Sequence, residues 1–408
     1  MTLCLPRGLV LACALAAVIA AQPAAAEKRY APGISDTEIK IGQTLPLSGP
    51  ASAYGQIGRA EAAYFHMIND QGGINGRKIT LIQLDDGYSP PKTVEQTRRL
   101  VEQDRVAFVF SSIGTPTNMS VLKYLNEKKV PQLWIGSGSS KFDDPKHFPW
   151  TIAFLPSYLV EGRIYARYLM QDKPDAKVAV LYQNDDYGKD ILDGFRQGFG
   201  AAADKHIAAT ASYEVTDPTI DQQIVTLQAS GANVFLAIAT PKFSAQAIRK
   251  VYDIGWKPFY IVNFVGSAVA AALKPAGLEK AVGLVSTAYE KDPTDPSWQN
   301  DADYKAWRAW MAKYMPDGDV ADLFNVTGYL EGAVLVHVLK ECGDDLTRQN
   351  IMDHAASMNF TPPMLQPGIT MTTSPDDYVP VKQMRLVRFD GKTWVPFGNA
   401  IDGRLTLK

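Results

Sequence analysis

Cysteine is nearly absent. The 408 residues hold three, and two of them, Cys4 and Cys13, lie close to the N-terminus. Cys342 is then alone, so no internal disulfide staples the chain and no thiolate zinc site can be assembled from it. The five histidines, His66, His147, His206, His337 and His354, show no H-E-x-x-H or other ligand spacing, so no metal is expected. An excess of charge of one sign is also missing. Against 43 Asp+Glu stand 41 Lys+Arg, a formal net charge of −2. No basic footprint for a nucleic acid follows from that balance.

Catalytic and cofactor signatures are missing as well. There is no P-loop and no G-x-S-x-G nucleophile elbow. The stretch Gly136-Ser137-Gly138-Ser139-Ser140 lacks the third glycine of a dinucleotide fingerprint. The paired carboxylates Asp85-Asp86, Asp143-Asp144 and Asp185-Asp186 read as turn residues. Neither an enzyme nor a bound cofactor is expected.

What is present begins with residues 1–26. Arg7 precedes an apolar run to Ala21, and Ala24-Ala25-Ala26 stands before Glu27. A basic start, a short apolar core and an A-x-A site are the pattern of a secretory signal cleaved after Ala26. The run is short for a membrane span, which needs ~20 residues. Export without disulfides fits a bacterial periplasm. At 46% hydrophobic and 21% charged residues, the remainder has the composition of a globular chain of two or more domains.

That remainder alternates strand-like and helix-like segments. Strands are expected at 38–45, 79–84, 107–110 and 132–135, with helices at 58–69, 93–103 and 117–128 between them. The pattern restarts after residue 150. Helices at 159–170, 189–203, 220–229 and 244–254 interleave with strands at 178–182, 209–213, 234–239, 259–262 and 283–287. Strands each followed by a helix imply right-handed βαβ units, hence two doubly wound α/β lobes with parallel sheets. The tail departs from this, with helices at 301–314, 321–340 and 348–358, then a hairpin turning at Asp390-Gly391. A chain that crosses between lobes several times accommodates such a tail.

Ligands of doubly wound sheets bind outside the carboxyl ends of the strands. Two loops there, Ser111–Asn118 and Gly136–Ser140, are rich in hydroxyls and glycine. The first enters a helix, whose N–H groups and dipole attract an anion. The same residues also suit an N-cap and tight turns. Tyr187, Phe243 and Phe264 follow second-lobe strands, where aromatics either line a cleft or pack a loop.

At these loops the chain resembles the periplasmic solute-binding proteins of branched-chain amino-acid (leucine/isoleucine/valine-binding) ABC transporters. The likeness rests on Ile39-Lys40-Ile41-Gly42, Leu47-Ser48-Gly49-Pro50, Tyr54-Gly55, Gly72-Gly73-Ile74-Asn75-Gly76 and Val178–Tyr182 with Asp186-Tyr187-Gly188. It implies a type I periplasmic binding protein: two α/β lobes joined by a three-segment hinge. The expected lobes are 27–153 plus 290–363, and 154–289 plus 364–408. It further implies a small-molecule carboxylate ligand, a membrane permease as partner, no nucleic acid, and a monomer. By position, the ligand carboxylate is expected at Gly114 and Thr115 with Gly138, Ser139 and Ser140. Tyr54, Tyr187 and Phe324 would face the rest of the ligand, with Thr240 and Phe243 beside them. One departure stands out. Where the family places an acid for the ligand ammonium, this chain has Asn263 and Phe264. An aromatic acid without an α-amino group is therefore the expected ligand, with a branched-chain amino acid or amide as the alternative.

Overall fold

The computed structural model describes residues 1–2 and 28–403, so the expected leader lies almost wholly outside the described residues. Five parallel strands form the first sheet: β1 (Glu38–Leu45), β2 (Lys78–Asp85), β3 (Val109–Phe110), β4 (Gln132–Ile135) and β5 (Thr151–Ala153), in the order β2-β1-β3-β4-β5. The second sheet repeats that order. Its strands β6 (Val178–Gln183), β7 (Ile207–Tyr213), β8 (Val234–Ile238), β9 (Phe259–Val262) and β10 (Val285–Ala288) run β7-β6-β8-β9-β10. The hairpin β11 (Gln383–Phe389) and β12 (Trp394–Asp402) adds two antiparallel strands beside β10. Every residue of β4 and β8 is buried, as helices on both faces of a parallel sheet require.

The helices that matter for the site are α1 (Gly55–Asp70), α2 (Pro90–Arg98), α3 (Thr115–Glu127), α4 (Tyr158–Asp172), α5 (Asp186–Phe199), α6 (Asp221–Ala229), α7 (Pro241–Asp253), α8 (Ala302–Tyr314), α9 (Leu323–Glu341) and α10 (Arg348–Ala355). Several begin earlier than their periodicity suggests, and in two of them the shift bears on aromatic residues expected at the site. Asp185 accepts from the N–H of Tyr187 and Gly188, which starts α5 three residues ahead of the expected 189. Pro241 in the first turn starts α7 ahead of 244. Tyr187 and Phe243 are therefore first-turn helical residues, held more firmly than loop residues.

The chain passes to the second lobe after β5, returns after β10, and passes again before β11. On the return, α9 lies along α1. A Cβ on Gly328 would sit 2.5 Å from the Ile57 carbonyl oxygen, and one on Gly332 would sit 2.6 Å from the Tyr64 ring. These two glycines, one turn apart, set how closely the helices approach. The last passage falls later than the expected residue 363. Asn359–Phe360 pairs with Met371–Thr372, and Tyr378 still donates its N–H to Asp143 and its hydroxyl to the Pro149 carbonyl in the first lobe.

Candidate ligand-binding site

The 2-1-3-4-5 order of both sheets reverses direction between β1 and β3 and between β6 and β8. At such a switch point the flanking loops diverge and leave a crevice. The two crevices face one another, and between them lies a cavity with about 50 Å³ open to the centre of a water-sized sphere. Four tyrosines dominate its wall: Tyr54 and Tyr88 from the first lobe, Tyr158 after the crossing and Tyr187 at the start of α5. Burial raises all four phenols, so each stays a neutral hydrogen-bonding group. The rings of Tyr158 and Tyr187 meet edge to face with centroids 5.1 Å apart, and Tyr54 leans on Phe324 at 5.2 Å. The lobes touch over this cavity, where the Tyr54 hydroxyl reaches the Val265 carbonyl oxygen at 3.5 Å.

Gly114 and Thr115 line the cavity, as expected of the first hydroxyl-rich loop. Gly114 has φ +107°, and a Cβ there would lie 2.5 Å from the Tyr88 ring. Only glycine meets both demands. The N-terminus of α3 thus opens on the cavity, with Pro116 contributing no N–H to its first turn. Thr115 Oγ1 lies 2.7 Å from Ser137 Oγ, which ties the two hydroxyl-rich loops together. Thr117 instead turns back, donating to the Ile113 carbonyl at 2.7 Å.

The second loop differs from expectation. Ser139 Oγ donates to Asp190 Oδ2 at 2.7 Å, the Ser140 N–H donates to the same oxygen at 2.7 Å, and Ser140 Oγ reaches Oδ1 at 3.2 Å. Asp190 belongs to α5 of the opposite lobe. The anion on Ser139 and Ser140 is one the chain itself supplies, and neither serine lines the cavity. Gly138 does not line it either. A Cβ there would be 2.0 Å from the Pro156 carbonyl oxygen, so its role is to let the first crossing pass.

In the second lobe, Thr240 lines the cavity and Phe243 does not. Phe243 packs on Tyr213 with ring centroids 4.3 Å apart in the lobe's core. Asn263 is fully buried behind the wall. Its Oδ1 accepts from the Tyr187 hydroxyl at 3.1 Å and from the Ala239 N–H at 3.1 Å, so it positions Tyr187. Phe264 stands between Tyr158, at 6.3 Å, and Tyr289, at 5.8 Å. It lines a second, smaller cavity on the hinge side together with Glu290 and Trp394. The Phe264 N–H donates to Glu161 Oε1 at 2.7 Å, and burial pushes the Glu161 carboxyl up to about 7.

An acid nevertheless reaches the cavity from another part of the chain. Glu331 lines it from α9, where its buried carboxyl hydrogen-bonds to Glu61 and Ser111. Beside it is Glu61 of α1, to which Gln43 donates at 2.6 Å. Desolvation and the Glu61 carboxyl hold Glu331 well above the usual carboxylate range, and burial pushes Glu61 up to about 7. Sequence reading missed Glu331 because attention went to strand-end loops. The signal was a lone acid within the apolar stretch 323–339. Tyr88, Ile57, Ile113, Gly136, Leu155, Tyr158 and Val265 also line the cavity without having been singled out. Among the described residues no cluster has the donors to hold a metal.

The family model for the periplasmic binding proteins matches residues 38–393. The chain belongs to that family. Among curated relatives it is 24% identical over 286 residues to the Leu/Ile/Val-binding protein homolog 7 of Brucella abortus (strain 2308), covering 68% of this chain and 70% of that protein. Among solved structures it resembles a branched-chain amino-acid ABC transporter protein from Thermus thermophilus with bound valine (16% identity, TM-score 0.80, 90% of this chain and 97% of that one). It also resembles a solute-binding protein of an ABC transporter from Rhodopseudomonas palustris BisB5 in complex with 3,4-dihydroxy benzoic acid (19% identity, TM-score 0.76, 90% and 98%). The type I binding-protein fold is shared with both. Family members are substrate-binding receptors of the periplasm.

Proposed function

We propose that the protein is the periplasmic receptor of an ABC importer, that it captures a small aromatic carboxylate, and that it does so as a binding protein without turnover. The observation that carries this reading is one cavity combining four neutral tyrosines with an open helix N-terminus at Gly114-Thr115. A carboxylate suits the helix end, where dipole and N–H groups favour negative charge. A ring suits the tyrosine walls, where aromatic pairs gain ~0.5–1.5 kcal/mol beyond their buried area. Ligand held by Tyr54 and Thr115 of one lobe and Tyr187 and Thr240 of the other would favour the closed form through contacts made only there. A membrane permease would then read the closed shape.

A branched-chain amino acid is the second reading. The Glu331 carboxyl favours it, being an acid on the cavity wall, and so does the fold shared with the valine-bound protein. Titration calorimetry with 4-hydroxybenzoate, cinnamate and leucine separates the two. Micromolar or tighter binding of an aromatic acid with no leucine signal is expected; the reverse result removes the first reading.

A further inference from the structure

We infer that Tyr88 limits the width of the ligand beside its carboxylate, so that the site takes acids one ring wide at that end and reads this width as the lobes close. This deepens the aromatic-acid reading and rests on it. Tyr88 lines the cavity with φ +62°, a positive φ that Tyr54, Tyr158 and Tyr187 do not share. For a bulky residue such a backbone is an outlier that persists only where its surroundings fix it. Asp86 does the fixing. It is fully buried, its Oδ1 accepts the Tyr88 N–H at 2.9 Å, and its Oδ2 accepts the Thr93 hydroxyl of α2 at 2.9 Å. Gly87, with φ +57°, makes the bend between them.

The side chain is held at both ends. Its ring lies against Gly114, where a Cβ would come 2.5 Å from Cε2 and 3.0 Å from Cζ, so it flanks the N-terminus of α3. Its hydroxyl hydrogen-bonds to the side chain of Gln183, the last residue of β6 in the opposite lobe. Gln183 is fixed in turn, its Nε2 donating to Asp185 Oδ2 at 2.6 Å and its Oε1 accepting from the Tyr213 hydroxyl at 3.1 Å. Tyr88 therefore joins the lobes in the closed form. The cavity is small, so a ligand presses on its walls. With a carboxylate at Thr115, the atoms next to it lie beside the Tyr88 ring. A single ring leaves Tyr88 in place and the bond to Gln183 intact. A second ring fused beside the carboxylate needs the space of that side chain, and displacing it removes a contact that favours closure.

The test is titration calorimetry on the full chain with benzoate and 1-naphthoate, whose second ring adjoins the carboxylate. The wild-type protein is expected to bind benzoate about 30-fold more tightly. Tyr88→Gly removes the ring and suits a positive φ, and should bring the two acids within about threefold of each other. Tyr88→Phe keeps the ring and loses the bond to Gln183, so both acids should weaken about fivefold while their ratio stays. Equal binding of the two acids by the wild type overturns the inference. So does a ratio that survives Tyr88→Gly or disappears in Tyr88→Phe. Should the glycine variant not fold, Tyr88→Phe carries the test, since unchanged affinity for both acids overturns the coupling to closure. If neither acid binds the wild type, the aromatic-acid reading has failed and the inference goes with it. If both bind alike, only the inference falls.

Discussion

The two hydroxyl-rich loops of the first lobe have nearly the same chemistry and opposite fates. Both follow neighbouring parallel strands, both carry glycine with serine or threonine, and Thr115 and Ser137 join them directly. Yet the loop at Gly114-Thr115 opens on the cavity, whereas Ser139 and Ser140 are closed by Asp190 from the facing lobe. Composition says that a loop can hold an anion. Whether that anion is a ligand or another part of the chain depends on what the opposite lobe presents. Here one loop faces the cavity and its neighbour joins the two lobes.

Breaking that division should have its largest effect at Asp190. Hydrogen bonds to a charged group contribute ~1.5–3 kcal/mol each, and Asp190 receives three across the lobes. Asp190→Ala is expected to weaken ligand affinity about 30-fold by loosening the closed form, and to raise the radius of gyration of the liganded protein in solution scattering. Unchanged affinity and scattering would mean that the two loops do not differ in role.

The acids behind the cavity should act with a sign opposite to that of a salt-bridged carboxylate. Burial pushes Glu61 and Glu161 up to about 7 and Glu290 up to about 8. The folded chain therefore holds protons that the unfolded chain releases near 4.5. Their contribution to stability is complete below that pH and is lost as pH rises through 7 to 8. The melting temperature is expected to fall between pH 5 and pH 8, and Glu290→Gln should reduce that slope. A melting temperature rising steadily across this range would contradict the burial of these groups as neutral acids.

Smaller effects sharpen the comparison at the open loop. Thr115→Val removes the link to Ser137 and should weaken ligand binding about fivefold, for a bond typically contributing ~1 kcal/mol. Tyr54→Phe should change affinity by less than about twofold, because its hydroxyl contact at 3.5 Å is at the limit of a hydrogen bond. Calorimetry measures both.

The fold was legible from its period. Strand–helix alternation that restarts after residue 150 yielded two parallel sheets, and β9 over Phe259–Val262 coincides with its apolar run. The cavity lining was legible where a residue sits at a strand end, as with Gly114, Thr115, Tyr54, Tyr187 and Thr240. It was not legible where the outcome depends on a partner distant in sequence. Nothing local to Ser139 announces Asp190, about 50 positions on. Asn263 faces the Tyr187 hydroxyl instead of the cavity because that hydroxyl needs an acceptor in the buried wall. Glu331 escaped notice because a helix is read for its apolar face, and a single acid on that face passes as an exception.

The division between the two loops is tested most directly by a crystal structure of the protein with 4-hydroxybenzoate. The expected result places the ligand carboxylate within hydrogen-bonding distance of the Thr115 N–H, while Asp190 stays bonded to Ser139 and Ser140. A carboxylate seated on Ser139 and Ser140, with Asp190 displaced, would contradict it.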